Sequence, residues 1–245
     1  MDFLSAIYTE VLWRPLFNGL VWLYISLPVR DLGLAIIVLT AATRLLLTPF
    51  LWKGQKAQKE LGRIQPEIQA VQEKFKNNRE AQGKALMELY ARHRVNPFSG
   101  CLVLLVQFPV LIALFQVFQS GFDTTQFSYL YSFVSRPDAI NPWTFGVFDL
   151  SAGDWRMGIA AAATQYVQAR LLTTTVKRSV GSQGGFAQML QTQTLYIFPV
   201  LVFAWSFVFP AALTLYWTAM NVFGILQELI AARLHKTSPS AGTDT

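Results

Sequence analysis

Cysteine occurs once in these 245 residues, at Cys101, and histidine twice, at His93 and His235. A single cysteine excludes an intrachain disulfide. Cys101 reads as a small apolar packing residue near a helix start. Both histidines fall in basic polar segments and make no metal-ligand spacing with each other or with Cys101. No metal centre and no cofactor is expected. There is no P-loop, no dinucleotide fingerprint and no nucleophile elbow. Ser99 precedes Gly100, but no histidine lies in any apolar run to activate it, which argues against an intramembrane serine protease. Charge is scarce too, at 14% of residues against 53% hydrophobic, and this balance is too apolar for an ordinary soluble domain.

What the chain does contain is apolar runs of bilayer-spanning length, which make it an all-α, polytopic membrane protein. Residues 1–30 are apolar and aromatic but broken at Arg14-Pro15 and Asn18-Gly19. They lack the basic start and small-residue cleavage site of a signal peptide. Trp13, Trp22 and Tyr24 suit a headgroup region, so an interfacial helix is expected, with a full span as the alternative.

A first span follows at 31–52. Residues 53–96 then change character, and 53–95 hold ten Lys/Arg and five Glu. Leu61, Ile64, Ile68, Val71 and Phe75 keep a helical period, Asn77-Asn78 mark a turn, and a second amphipathic stretch follows. The pattern predicts a charged helical hairpin. Further spans are expected at 97–118, 155–171, 192–209 and 210–233. They are separated by a polar, aromatic loop at 119–154 and a flexible loop at 172–191, and a disordered tail covers 234–245. The hairpin, the 172–191 loop and the tail carry most of the Lys/Arg, whereas 119–154 has four Asp and one Arg. The basic segments are therefore expected in the cytoplasm, with the N-terminus outside and the C-terminus inside.

The first span holds the most informative residue. Arg44 sits in the apolar run from Gly33 to Leu51, and the nearest acids, Asp31 and Glu60, lie beyond its ends. A central arginine costs about 2.5–3.5 kcal/mol on insertion scales. With no local partner it must face water or a partner that arrives later. Thr40 and Thr48 share its helix face. Other spans carry polar residues as well: Gln107 in the second, and Thr164, Gln165 and Gln168 in the third. In the fifth, Thr214, Trp217, Thr218, Asn221 and Glu228 recur at three-, four- and seven-residue spacings. Singly, Gln107, Asn221 and Thr164 read as interhelical hydrogen-bond partners, and Glu228 as an interfacial charge. Together with Arg44 they imply a hydrated, positively charged cavity. A small transporter or channel with Arg44 as an anion site remains a rival reading, though the halves show no inverted repeat. A non-transporting assembly scaffold is a third.

Several motifs resemble the YidC/Oxa/Alb membrane protein insertase family. Gly33–Pro49, GLAIIVLTAATRLLLTP, is similar to its first core span. Gln65-Pro66-Glu67-Ile68 and Lys74-Phe75-Lys76 are similar to its hairpin. Asn96–Phe115, NPFSGCLVLLVQFPVLIALF, resembles its second span, and Phe209–Asn221, FPAALTLYWTAMN, its last. The resemblance covers about residues 30–235. It implies five transmembrane helices around a hydrated groove open to cytoplasm and lipid and sealed toward the outside. It also implies a non-enzymatic insertase and chaperone of integral membrane proteins in the bacterial cell membrane. The expected substrate-binding groove comprises Arg44, Thr40, Gln107, Gln165, Gln168, Thr214, Tyr216, Trp217 and Asn221. The expected partners are nascent membrane-protein clients and the lipid bilayer, with the ribosome, the signal recognition particle receptor and the Sec translocon as candidates. No nucleic-acid binding of its own is expected. Unlike some relatives, the sequence is expected to lack a large extracytoplasmic domain and a long basic C-terminal tail.

The loop charges generate a topology test. In a Cys101→Ser background, a cysteine introduced at 130 should react only with reagent supplied outside the cell, and one at 240 only with reagent inside. Labelling of both from the same side would reject the five-span arrangement.

Overall fold

The computed structural model describes residues 3–96, 99–119, 124–180 and 192–237. Residues 181–191 of the expected flexible loop, the tail from 238 and the side chain of Cys101 lie outside the described residues. The chain is mostly α-helical. In order, the helices are α1 (Phe3–Tyr8), α2 (Arg14–Ser26), α3 (Leu32–Arg63), α4 (Gln65–Lys74), α5 (Arg79–Arg92), α6 (Ser99–Gln119), α7 (Trp155–Val180), α8 (Phe198–Trp205) and α9 (Ala211–Thr237). A two-stranded antiparallel ribbon, β1 (Trp143–Thr144) with β2 (Phe148–Asp149), lies in the loop before α7. Among the described residues, Leu32–Phe50 is the stretch long and apolar enough to cross a membrane, with a mean hydropathy of 1.8. Gln107–Gln119 and Gln193–Trp205 are shorter apolar helical stretches.

The N-terminal segment is packed more tightly than a surface helix would be. Arg14-Pro15 does not break it: a π-helical turn, Thr9–Trp13, leads straight into α2, and Pro15 occupies the first turn, where a missing N–H costs nothing. Phe17, Leu20 and Val21 are fully buried against α3 and α6, among Leu32, Ile36, Leu114 and Val117. Trp13 and Tyr24, expected at headgroup level, turn inward, while Trp22 stays half-exposed. Asn18, read from sequence as a breaker, clamps the loop instead. Its Nδ2 donates to the Tyr129 carbonyl at 3.1 Å, and its Oδ1 accepts from the Tyr131 amide at 2.7 Å.

No helix boundary separates the first apolar run from the charged hairpin; α3 continues to Arg63. The run of helix-favouring Lys, Gln and Glu after Trp52 explains the continuity. The hairpin proper folds α5 back on α4, with Asn78 capping α5 through the Ala81 amide at 3.1 Å. Ile64, Ile68 and Leu89 form its own small core, separate from the main one. The main core lies toward the other end, where the 124–154 loop closes over the helix ends.

That closure depends on Asp31. Its carboxylate caps α3 by accepting from the Leu34 amide at 2.9 Å, and also accepts from the Thr144 hydroxyl and, at 2.7 Å, from the Phe145 amide. The loop in turn caps α9: the Ala211 and Ala212 amides donate to the carbonyls of Ala152 and Leu150 at 2.8 and 3.0 Å. Asp154 starts α7 in the same way, accepting from the amides of Arg156 and Met157. The Arg156 side chain, 2.6 Å away, holds the Asp154 carboxyl below its ordinary range against the opposing effect of burial.

Gly33 sits inside this clasp. A Cβ there would collide with the Thr144 side chain and approach Leu215 Cδ2 to 3.0 Å. Gly33→Ala should therefore lower stability by about 1–3 kcal/mol, the usual cost of overpacking. Thermal unfolding in detergent measures it, and an unchanged melting temperature would show that the clasp yields.

Candidate functional site

Of the nine groove residues expected from sequence, five are partly exposed: Arg44, Gln107, Gln165, Gln168 and Trp217. The other four, Thr40, Thr214, Tyr216 and Asn221, are buried. The structure therefore divides the set into a lining and a support.

Arg44 projects from α3 near Tyr216 of α9, its electrostatic neighbour. Among the described residues no hydrogen bond or ion pair reaches its guanidinium. Thr40, one turn earlier, is buried, and its hydroxyl is spent on the Ile36 carbonyl at 2.6 Å. Thr48, one turn later, bonds the Arg44 carbonyl at 2.7 Å and accepts from Gln227 Nε2 at 2.8 Å. Gln227 stands outside the sequence-derived set. Its signal was available: it lies on α9 in a polar stretch beside Glu228, and only the pairing with α3 was hidden.

Two further interhelical bonds run from α9. Gln107 of α6 donates to the Tyr216 hydroxyl at 2.7 Å, and Trp217 Nε1 of α9 donates to Gln165 Oε1 of α7 at 2.9 Å. Adjacent residues on α9 thus reach two different helices, because consecutive side chains diverge by about 100°. Tyr216 is fixed in the interior, whereas Trp217 stays partly exposed beside Phe198 and Trp205, with ring centroids 5.7 and 6.2 Å away.

The α7–α9 contact is a polar seam between small residues. Asn221 Nδ2 lies 3.4 Å from the Ala161 carbonyl and 3.3 Å from Thr164 Oγ1, and Gly224 makes room for the Gln168 side chain. Asn221 Oδ1 is buried with no partner among the described residues. Glu228 continues this face and is only 7% exposed, so it is not the interfacial charge expected from sequence.

On the other side of α9 a cavity of about 300 Å³ opens between α6, α8 and α9. Leu111, Phe115, Trp205, Phe209, Thr214 and Trp217 line it. Its walls are almost wholly apolar. Trp217 therefore bonds Gln165 through its indole N–H and also lines an apolar slot.

This arrangement is that of a helical membrane protein with an arginine that has no counter-ion among the described residues. The family model for the 60Kd inner membrane protein matches residues 24–238, and the chain belongs to that family. It is 30% identical over 200 residues to the membrane protein insertase YidC of Fusobacterium nucleatum, covering 82% of this chain and 85% of the relative. It is 31% identical over 246 residues to the membrane protein insertase YidC 2 of Bacillus anthracis, covering 98% and 87%. Among solved structures, that of an active YidC insertase with its first transmembrane domain resolved superposes with a TM-score of 0.55 at 24% identity. This likeness is one of fold; it covers 94% of this chain and 47% of that one, so the chain spans about half the length of that protein.

The Gln107–Tyr216 bond is testable directly. Tyr216→Phe removes the hydroxyl and leaves the ring, and should destabilise the bundle by about 1 kcal/mol, typical of interhelical hydrogen bonds in membranes. Thermal unfolding in detergent reads this out, and Gln107→Leu combined with Tyr216→Phe should cost less than the sum of the two changes.

Proposed function

We propose that this chain is a membrane protein insertase and chaperone that accepts client segments in a hydrated, positively charged groove. The observation that carries the reading is Arg44, partly exposed inside the apolar helix Leu32–Phe50 and without a counter-ion among the described residues. It lies six residues, about 9 Å of helix, from the Phe50 end. Water entering from the hairpin end reaches it over a short path.

In this reading five helical segments, at 31–52, 97–118, 155–171, 192–209 and 210–233, cross the bilayer. Their cytoplasmic side carries the 53–96 hairpin, and the 119–154 loop seals the outside. The groove is lined by Arg44, Gln107, Gln165, Gln168 and Trp217, with Thr40, Thr214, Tyr216 and Asn221 supporting it from within. The relatives' names and the free guanidinium support the same conclusion.

The physics is that of a shortened barrier. Moving a polar N-terminal tail across hydrocarbon strips water from its backbone and charges. A wet groove reduces the dry distance. An acidic residue 4 Å from Arg44 gains about 4 kcal/mol at an effective dielectric of about 20, against about 1 kcal/mol in water. The client's apolar segment slides along the slot beside Trp217, Phe115 and Trp205 and partitions into lipid. No covalent step and no nucleotide is required. The charged hairpin, with its separate small core, is suited to docking delivery machinery such as the ribosome, the signal recognition particle receptor or the Sec translocon.

Arg44 separates this role from a structural one. In reconstituted vesicles Arg44→Ala should reduce insertion of a client with an acidic tail more than of a matched neutral client, and Arg44→Lys should retain much of the activity. Equal loss on both clients, together with a lower melting temperature, would make Arg44 a packing residue and overturn the groove-charge reading.

A further inference from the structure

The tip of the β1–β2 ribbon is built at a conformational cost, and its side chains gain no packing from it. Phe145 and Gly146 have φ of 51° and 67°, and the Val147 amide donates to the Thr144 carbonyl at 3.1 Å. Both central residues of this tight turn are left-handed, as in a type I′ turn, where Asn-Gly or Asp-Gly is favoured. A phenylalanine in that region is unusual, because its Cβ crowds the backbone. Its ring does not offset this by packing: Phe145 is 57% exposed, and Trp143 and Val147 beside it are about as open, at 50% and 51%. The indole N–H of Trp143 has no partner among the described residues.

The position of this tip is held by Asp31. The Phe145 amide and the Thr144 hydroxyl both bond the carboxylate that caps α3, one residue before the apolar stretch Leu32–Phe50 begins. Nineteen residues of helix rise about 28 Å, close to the hydrocarbon thickness of about 30 Å. The tip is therefore one hydrogen bond from the point where α3 leaves hydrocarbon. Exposed Arg30 and Val29 stand at the same level. An aromatic pair, an unsatisfied indole N–H and a neighbouring cation are the chemistry of a phospholipid headgroup zone.

We propose that the Trp143–Val147 turn is a membrane anchor, seated in the headgroup and upper acyl region of the leaflet at the loop end of the bundle. Its occupant is lipid. Because Asp31 couples the turn to α3, and residues 150–152 couple the same loop to α9, the anchor holds the loop end at a fixed depth. This inference rests on Leu32–Phe50 spanning the bilayer.

The test uses the full chain in phosphatidylcholine–phosphatidylglycerol vesicles with Cys101→Ser and one environment-sensitive fluorophore per variant. The fluorophore is placed at 145, at 147 (which keeps Phe145), at 42 and at 138. Ala42 is exposed near the middle of the apolar stretch, and Asp138 is exposed in the loop. The expected result is blue-shifted emission at 145 and 147, quenched several-fold more by lipids with a shallow nitroxide than by deep ones. Position 42 should show the reverse depth preference, and 138 neither effect. Emission at 145 and 147 matching that at 138, with 42 quenched as expected, would overturn the anchor alone. Loss of quenching at 42 would overturn the span reading and the anchor with it. A blue shift at 145 without lipid quenching, lost when vesicles hold one copy each, would assign the tip to a second copy of the chain and also overturn the proposal.

Discussion

A guanidinium inside an apolar helix has to keep contact with water or with opposite charge, and Arg44 has no opposite charge among the described residues. The polar organisation of the bundle follows from that constraint. The helices of the bundle are joined by hydrogen bonds between neutral groups: Gln107 to Tyr216, Gln165 to Trp217 and Thr48 to Gln227. Neutral partners tie the helices together without cancelling the charge. A carboxylate beside Arg44 would pair with it and remove the free charge on which its proposed role rests.

The two ends of the molecule are built on opposite terms. At the loop end, Asp31 and Asp154 are saturated with donors, the amides that open α9 are capped by loop carbonyls, and Asn18 bonds the loop through both ends of its amide. A segment so fully bonded opens only by breaking several hydrogen bonds together. At the hairpin end, α3 runs out of the main core, and the hairpin's own cluster centres on three buried residues, Ile64, Ile68 and Leu89. Few buried contacts mean a low cost of rearrangement. A closed loop end and a yielding hairpin end are what the proposed entry of clients from the hairpin side requires.

The helical class, the charged hairpin pattern and the prominence of Arg44 were legible because each is local. Apolar run length, i to i+4 spacing and the absence of an acid inside Gly33–Leu51 are all read along one strip of chain. The support residues were legible only as polar exceptions. Thr40 and Asn221 could be marked as unusual in apolar surroundings, but their burial depends on neighbours more than a turn away. Glu228 shows the limit most clearly. Its place near a helix end suggested an interfacial charge, whereas in the fold it is buried.

By itself the sequence determined that the protein is helical, membrane-embedded and marked by one costly arginine, because hydropathy and helical period are properties of consecutive residues. Tertiary structure alone decided which side chains meet. Asp31 and Thr144 are 113 positions apart, and Gln107 and Tyr216 are 109 apart. Neither pair leaves a mark in local spacing. Each exists because the tertiary fold brings two remote polar groups together, where leaving either one unpaired costs more than joining them.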